Sequence, residues 1–226
     1  MKKTENDIKT MCYVLRRTNY AEADRILNLI TPVGKLSVMA KGVRKAKSKL
    51  AGGVEMFTKS EVMIHRGRSE LGTLTGVKMV RYCGNIVKDL SRMELAAMML
   101  RRVNIMAEGA DAEEYFKIVD AGLTALDDGV DAGLTEAWFL LNLMRVSGEE
   151  INLYRNVDGE LLVANERYAW DGVERAFSRY ADGEYGAAEI KMMRLMVTSD
   201  LAMTTRVKNA ATMVPRILQL ARSVVK

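Results

Sequence analysis

The spacing of apolar residues changes near residue 83, and this change constrains the fold more than any other feature of the sequence. Before that point, apolar and polar residues alternate in short runs separated by turn-forming residues, as in half-buried β-strands. The runs predict strands at residues 11–18, 25–31, 35–41, within 54–66, and at 71–80. Five short strands in so short a stretch match a small barrel such as the OB-fold, although an SH3-like barrel gives the same pattern.

After residue 83 the apolar residues recur at the three- and four-residue spacing of helices. Helices are predicted at residues 90–107, 116–126, 138–144, 187–197 and 213–225. The third is apolar on nearly all sides and should be buried, and the last has Pro215 in its first turn. Between residues 147 and 170 the helical spacing stops, and an Asp158-Gly159 turn among apolar residues predicts a β-hairpin.

These patterns predict an α+β protein. An OB-fold barrel of five strands is expected at residues 1–82. A mainly helical domain is expected at residues 83–226, with a small β-hairpin insertion near residues 149–170. With 49% hydrophobic residues among 226, the chain can bury a sizeable core.

Charge is divided unequally along the chain. Residues 1–84 hold 17 Lys or Arg against 7 Asp or Glu, whereas the rest of the chain holds 17 basic against 22 acidic residues. Between Asp24 and Glu55 every charged side chain is positive. Clustered cations bind polyanions, so the first part of the chain is predicted to bind nucleic acid. A solvated loop kept basic for solubility is the alternative.

The cations concentrate on a loop that follows the third predicted strand. Gly42 ends the alternation, and the loop continues to Gly52-Gly53. A second group of arginines, at residues 16, 17, 66 and 68, is the alternative site if the loop does not bind. The candidate DNA-binding residues are Arg25, Lys35, Lys41, Arg44, Lys45, Lys47, Lys49, Arg66 and Arg68.

Motifs for catalysis are missing from the sequence. His65 is the only histidine, so no Ser-His-Asp or Cys-His arrangement can be built without it. There is no glycine-rich phosphate motif, and the carboxylates show no metal-ligand spacing. We therefore predict a protein that is not an enzyme and that uses neither a cofactor nor a metal.

The sequence also gives an expectation about the compartment. No apolar run is long enough to span a membrane, and the chain begins with polar residues rather than a signal region. Cys12 and Cys83 are the only cysteines, which fits a reducing compartment. A cytoplasmic protein that does not bind membranes is predicted.

Several segments carry a family resemblance. Residues 14–17, 20–27 and 34–36, and above all residues 40–52 with their Lys-Gly-Val-Arg-Lys run, resemble the amino-terminal domain of the RecO family. The likeness continues through Phe57, residues 66–68 and Leu74, and it becomes thin after about residue 80. RecO proteins are bacterial recombination mediators in DNA repair.

The resemblance implies an amino-terminal OB-fold, a helical domain and a set of partners. The partners are single- and double-stranded DNA, the RecR protein, and the acidic carboxyl-terminal tail of single-strand-binding protein. The implied activities are annealing of single strands and help in loading RecA onto coated strands, at the nucleoid of a bacterium. Such a tail needs an apolar groove with cations at its rim, and Arg101 and Arg102 are the candidate contacts.

The chain departs from the family at one place. Many members carry a four-cysteine zinc site after the buried helix, and this sequence has no cysteine there. Apolar packing is expected to replace the metal in this region. The side chains expected to form that core are Tyr154, Leu161, Val163, Tyr168 and Trp170.

The barrel region is poor in aromatic residues, which affects the predicted mode of binding. Only Tyr13, Tyr20, Phe57 and Tyr82 could stack on bases, so phosphate contacts should dominate and sequence preference should be weak. An RNA- or ribosome-associated OB-fold protein is the alternative function, and binding tests with matched DNA and RNA would separate the two. A nuclease would need a carboxylate cluster that the basic part lacks.

Overall fold

The computed structural model describes residues 7–67, 69–107 and 111–225. It divides into two compact units, Met1–Asp127 and Asp128–Lys226. The predicted domain boundary between residues 82 and 83 stays a prediction. The strands and long helices of the first unit are β1 (Asp7–Tyr20), β2 (Asp24–Thr31), β3 (Gly34–Ala40), β4 (Thr58–His65), β5 (Gly72–Tyr82), α1 (Leu90–Met106) and α2 (Ala112–Asp127).

The five strands of the first unit form a closed barrel in the order β1-β2-β3-β5-β4. Pairing of β1 with β4 completes the ring, and β3 pairs with β5 in parallel over only two positions, Val38↔Gly72 and Met39↔Thr73. The other neighbouring pairs are antiparallel. The predicted OB-fold, rather than the SH3-like alternative, describes this barrel.

Strand β1 is longer than the sequence predicts because it serves two neighbours. Residues 7–12 pair with β4, and residues 13–20 pair with β2. A bulge between Val14 and Arg16 shifts the register where the partner changes. Leu15 therefore breaks the simple alternation of apolar residues, which is why the sequence pattern shows only the middle of the strand.

Apolar side chains fill the barrel, and two glycines shape it. Gly53, in a short 3-10 helix, lies so close to β5 that a Cβ atom there would be 2.4 Å from a methyl group of Val77. At Gly76 of β5, which pairs with Met63, the β4–β5 register shifts between Met63 and Ile64. The buried core consists of Cys12, Val14, Leu27, Leu29, Val38, Ala40, Val43, Val54, Val62, Ile64 and Leu74.

Within the first unit, α2 packs on the outer surface of the barrel through an aromatic contact and a pair of hydrogen bonds. The ring of Tyr13 packs on Phe116 with a centroid separation of 5.8 Å. Asp120 accepts hydrogen bonds from the Tyr13 hydroxyl at 2.8 Å and from the Lys59 ammonium at 2.7 Å. The pKa of Tyr13 is raised, mainly by burial and secondarily by the negative charge of Asp120. The phenol therefore stays protonated and donates its hydrogen bond to Asp120.

The second unit is mainly helical, as predicted. Helix α3 is buried over residues 134–144, and the Asn142 amide inside it donates to the carbonyls of Trp138 and Met196. The Arg222 guanidinium forms two hydrogen bonds, of 2.7 and 2.6 Å, with the carboxylate of Glu136. The elements are α3 (Ala132–Val146), β6 (Tyr168–Asp171), β7 (Ala176–Arg179), α4 (Ala187–Thr198), α5 (Leu201–Thr204) and α6 (Ala210–Val224).

The expectation for Pro215 was wrong. Helix α6 begins at Ala210, so Pro215 lies inside it rather than in its first turn. Residues 210–212 are polar or small and extend the helix ahead of the apolar pattern that begins at Met213. Proline has no N–H group, so it cannot donate to the carbonyl four residues earlier and leaves one helical hydrogen bond unmade.

The small β-hairpin is confirmed, but its two strands are β6 and β7. Around the predicted Asp158-Gly159 turn the described residues form only isolated bridges, between Arg155 and Leu161 and between Asn156 and Phe177. The Asn156 side chain holds this turn, accepting from the backbone N–H groups of Asp158 at 3.1 Å and Glu160 at 2.8 Å. Hydrogen bonds to the Asn156 side chain thus take the place of most of the backbone hydrogen bonds that two paired strands would form there.

The expected apolar core of this region was partly wrong. Tyr168 is fully buried, but Tyr154, Leu161 and Val163 are exposed by 54%, 61% and 40%. Instead, the buried ring of Phe177 lies at the centre of an aromatic cluster. The rings of Trp170 and Tyr185 are each 5.4 Å from it, and that of Tyr168 is 6.5 Å away.

Among the helices of the described residues, none combines the length and the apolar character that crossing a membrane requires.

Candidate nucleic-acid interface

Most of the cations predicted to bind DNA lie on the loop between β3 and β4. We call residues 41–50 the lysine loop. Lys41, Lys45, Lys47 and Lys49 are all exposed, and within the described part of the chain none of them forms an ion pair. Val43, in contrast, is buried in the barrel core and fixes the start of the loop.

The lysine loop is fastened to the turn between β1 and β2. The backbone N–H of Gly42, where φ is +63°, donates to the Asp24 carboxylate at 2.6 Å. Arg44 donates through its backbone N–H to the Ala23 carbonyl at 2.9 Å and through its guanidinium to the Glu22 carbonyl at 3.1 Å. Arg44 therefore braces the loop while remaining an exposed residue, like the lysines around it.

Arg25 is neutralised by a neighbour, unlike the lysines. Its guanidinium pairs with Glu55 at 3.4 Å and donates to the Asn19 side chain at 3.2 Å. Arg17 pairs with the other oxygen of Glu55. In the sequence, Glu55 is the first acidic residue after Asp24. In the fold, its carboxylate pairs with Arg17 of β1 and Arg25 of β2.

Lys35 and Arg66 lie on a separate cleft between β3 and the β4–β5 loop. The cleft has a volume of about 710 Å³ and includes Ser69 and Glu70. Arg66 is exposed, but the Lys35 ammonium donates to the backbone carbonyl of Asn104 in α1. Arg68, the remaining predicted DNA-binding residue, lies outside the described residues. For the whole predicted set, DNA contact stays a prediction.

Arg101 and Arg102, the predicted partner contacts, lie on α1. Arg101 is exposed and Arg102 is half-buried. Met99 and Val103 next to them are fully buried, whereas Met98 is half-buried. The arginines thus border a packed helix surface, and tail binding by them stays a prediction.

Asp24 was not predictable from the sequence as the anchor of the lysine loop, because its partner Gly42 lies 18 residues later, in the loop after β3. The β2–β3 register brings the two together: Arg25 faces Ala40, so Gly42, two residues beyond Ala40, comes close to Asp24 at the start of β2. A carboxylate that accepts from a backbone N–H organises the loop without providing a charge for a ligand.

The chemistry available at the site is that of exposed cations. The His65 ring nitrogen lies 2.7 Å from a carboxylate oxygen of Asp7 on an exposed edge of the barrel. Across the described residues there is no group of three or more His, Cys, Asp or Glu side chains that could hold a metal ion. What the site offers is a set of exposed ammonium groups on a braced loop, which suits the phosphates of a polyanion.

Comparisons with known proteins cover both parts of the chain. The family described as Recombination protein O N terminal matches residues 1–83, and the family described as Recombination protein O C terminal matches residues 87–225. The DNA repair protein RecO of Dehalococcoides mccartyi is 35% identical over 145 residues, which are 63% of this chain and 57% of that protein.

Other bacteria have similar proteins with the same name. The DNA repair protein RecO of Rubrobacter xylanophilus is 34% identical over 137 residues, 60% of this chain and 55% of that protein. That of Alkaliphilus metalliredigens is 33% identical over 144 residues, 62% of this chain and 58% of that protein. The chain thus spans a little more than half the length of these curated relatives.

Proposed function

The chain belongs to the RecO family, and on this premise we propose that it is a non-catalytic DNA-binding protein of DNA repair and recombination. The observation that carries the proposal is the lysine loop, with four exposed ammonium groups that have no ion-pair partner among the described residues. Relatives named DNA repair protein RecO support the same role.

The proposed ligand is DNA, bound through its phosphates. An extended single strand presents one charge per nucleotide, and lysines on a loop can follow it without reading its sequence. When lysines neutralise phosphates on two strands, the repulsion between the strands falls and their bases remain free to pair. Annealing of complementary single strands is therefore the proposed activity, and duplex DNA should bind through the same charges.

The proposed partners follow from family membership. We infer that the protein works with RecR and helps to load RecA onto strands coated by single-strand-binding protein. Arg101, exposed on α1, and its neighbour Arg102 are the proposed contacts for the acidic tail of single-strand-binding protein. An arginine that only covers apolar surface with its stem is the alternative role for either residue.

The test is annealing of complementary DNA strands, measured by fluorescence quenching, with and without a coat of single-strand-binding protein. Acceleration on coated DNA by the full chain, without cleavage of either strand, is the expected result. RNA strands of matched sequence form the second arm. Faster annealing of RNA than of DNA would contradict the proposal and favour an RNA-binding role, and cleavage by the pure protein would contradict the non-catalytic assignment.

A further inference from the structure

The burial of the barrel aromatics narrows the choice of a base-stacking residue. All four aromatic side chains of residues 1–82 are described. Tyr13 is fully buried and Phe57 is 5% exposed, so neither ring can meet a base. Tyr20 is 52% exposed and Tyr82 is 47% exposed. Stacking on the barrel is therefore restricted to these two rings.

Tyr82 has surroundings that do not suit a nucleic acid. It lines an apolar groove of about 630 Å³ together with Met79 and Met93. Two of the ionisable groups that line the groove, Arg17 and Glu55, form an ion pair with each other. A strand that lay in this groove would gain little from phosphate contacts.

Tyr20 stands on the outer face of the sheet formed by β1, β2 and β3. The strand register places Tyr13 opposite Ile30 on this face, and both are buried. Beyond the bulge, Arg16, Thr18 and Tyr20 are exposed at alternate positions of the same strand. The outer face is thus covered at one end and open at the other.

Helix α1 of the first unit contacts the covered end of this face. The Asn28 side chain donates to the side-chain oxygen of Asn104 at 3.2 Å, and Lys35 donates to the Asn104 carbonyl. OB-folds bind oligonucleotides on the face of strands 2 and 3 and on the adjoining loops, including the loop between strands 1 and 2. In this chain the free part of that surface is therefore the end that carries Tyr20.

The open end is joined to the lysine loop. Tyr20 pairs with Asp24 as the last pair of β1 and β2, and the Asp24 carboxylate accepts from Gly42. Arg44 of the loop also donates to the carbonyl of Glu22, in the turn that follows Tyr20. Exposed Lys41 directly follows β3, whose last residue Ala40 faces Arg25, so the lysine loop begins at the same end of the sheet as Tyr20.

We propose that the Tyr20 ring is a stacking platform for a nucleobase of a single strand whose phosphates are held by the lysine loop. The inference rests on the proposed DNA binding and adds a site for the bases. Aromatic rings stack on every base, so the platform confers a preference for unpaired strands without a preference for sequence. It provides a reason for discrimination between single strands and duplex that the lysines alone do not provide.

The experiment compares Tyr20→Leu, Tyr20→Phe and Tyr82→Leu with the parent protein. The probes are oligo-dT and an abasic oligonucleotide of equal length, with binding followed by fluorescence anisotropy at several salt concentrations. Tyr20→Leu should bind oligo-dT about 5- to 150-fold more weakly and should bind the abasic strand as the parent does. Tyr20→Phe and Tyr82→Leu should behave as the parent on both probes, and the salt slope should not change.

The possible failures are distinguishable. If the parent binds oligo-dT with a steep salt dependence and Tyr20→Leu is unchanged, the platform is refuted while DNA binding stands. Equal weakening on the two probes would refute stacking and indicate a loop disturbed by the substitution. Selective weakening in Tyr82→Leu would place the platform in the apolar groove and overturn the assignment to Tyr20. If the parent binds neither probe, both the proposed function and the platform fail.

Discussion

The Tyr13 hydroxyl of β1 donates a hydrogen bond of 2.8 Å to the Asp120 carboxylate of α2, and the second oxygen of that carboxylate accepts from Lys59. One carboxylate therefore satisfies donors from two strands of the barrel. Lys59 also lies 5.6 Å from the centroid of the Phe116 ring. Helix α2 is thus fixed to the barrel by a shared acceptor, and the two sides of this contact should not contribute equally to stability.

Removal of the acceptor should cost more than removal of one donor. Tyr13→Phe leaves Asp120 paired with Lys59 and should lower the free energy of unfolding by about 1 kcal/mol. Asp120→Ala leaves both donors without their partner and should cost about 1–3 kcal/mol. Urea unfolding of the two single variants and the double variant measures the difference. If the costs of the two single variants simply add in the double variant, the hydrogen bond between Tyr13 and Asp120 contributes no coupling free energy to stability.

Stability should fall in alkaline solution. Burial raises the pKa of the Cys12 thiol to about 12 from a usual value of 9.0. Above the lower value the unfolded chain releases a proton that the folded protein retains, so stability decreases as the pH rises from about 9 toward 12, by up to about 1.4 kcal/mol per unit. Urea unfolding in reducing buffer from pH 8 upward measures this slope.

Cys12→Ala is the control for the alkaline effect. The substitution removes the thiol, so the slope above about pH 9 should become shallower even though the cavity lowers stability at every pH. The pKa of Tyr13 is also raised, so in both proteins Tyr13 should still lower stability as the pH rises above 10.0, the usual pKa of a tyrosine. An identical slope in parent and variant would contradict the role of Cys12.

Replacement of Lys45, Lys47 and Lys49 by Ala should weaken DNA binding without unfolding the protein. Each phosphate contact on a single strand contributes about 0.7 to the slope of log K against log salt, so the slope should flatten by up to about 2. Exposed side chains away from special features usually change stability by about 0.5 kcal/mol or less. A salt titration alongside thermal melting measures both quantities.

A triple variant with the same loss of charge is the matched control. Lys191, Arg206 and Lys208 are exposed in the second unit, and their replacement by Ala also removes three positive charges. This control should keep the parent slope. Equal flattening in both variants would mean that net charge, rather than the loop, sets the affinity, and an unchanged slope in the loop variant would favour the group of Arg16 and Arg66.

Gly53→Ala should destabilise the barrel. A Cβ atom there would lie 2.4 Å from one methyl group of Val77 and 3.1 Å from the other, and overpacking of this kind costs about 1–3 kcal/mol. Val77→Ala in the same chain removes both methyl groups and should recover part of the loss. Gly67→Ala should unfold as the parent does, because among the described residues no atom beyond its chain neighbours would lie within 4 Å of the added Cβ. Thermal melting that ranks these variants differently would contradict the steric explanation.

Aromatic packing, not zinc, should stabilise the region of the small hairpin. Phe177 is fully buried and contacts three other rings, so Phe177→Ala should cost about 3–5 kcal/mol. A chelator should leave the melting temperature of the parent unchanged, since neither Cys12 nor Cys83 lies in this region. Zinc bound at one equivalent, together with a lower melting temperature after chelation, would contradict this prediction.

The sequence predicted what depends on local periodicity. Alternation gave all five barrel strands, and the three- and four-residue spacing gave the long helices, because each reports which face of an element is buried. Partners that are distant in the sequence were not predictable. Glu55 reaches Arg25 and Arg17 only after the barrel closes, and Asp24 meets Gly42 only through the β2–β3 register.

The insertion shows a second limit of the sequence pattern. Leu161 and Val163 have the composition of a hairpin core, but Phe177 and Tyr185 fill that core and leave them exposed. Hydrophobic character alone does not determine which of several apolar side chains will be buried in a short irregular segment.

The double pairing of β1 has a consequence for the order of folding on the ribosome. The nascent chain can form the β1–β2–β3 meander early, but residues 7–12 remain an unpaired edge until β4, at Thr58–His65, has been synthesised. Closure then joins segments about 50 residues apart, which is slow compared with hairpin formation. Until that moment the growing chain carries an open strand edge beside an unfinished core, and we expect it to be most prone to aggregation during this interval of its synthesis.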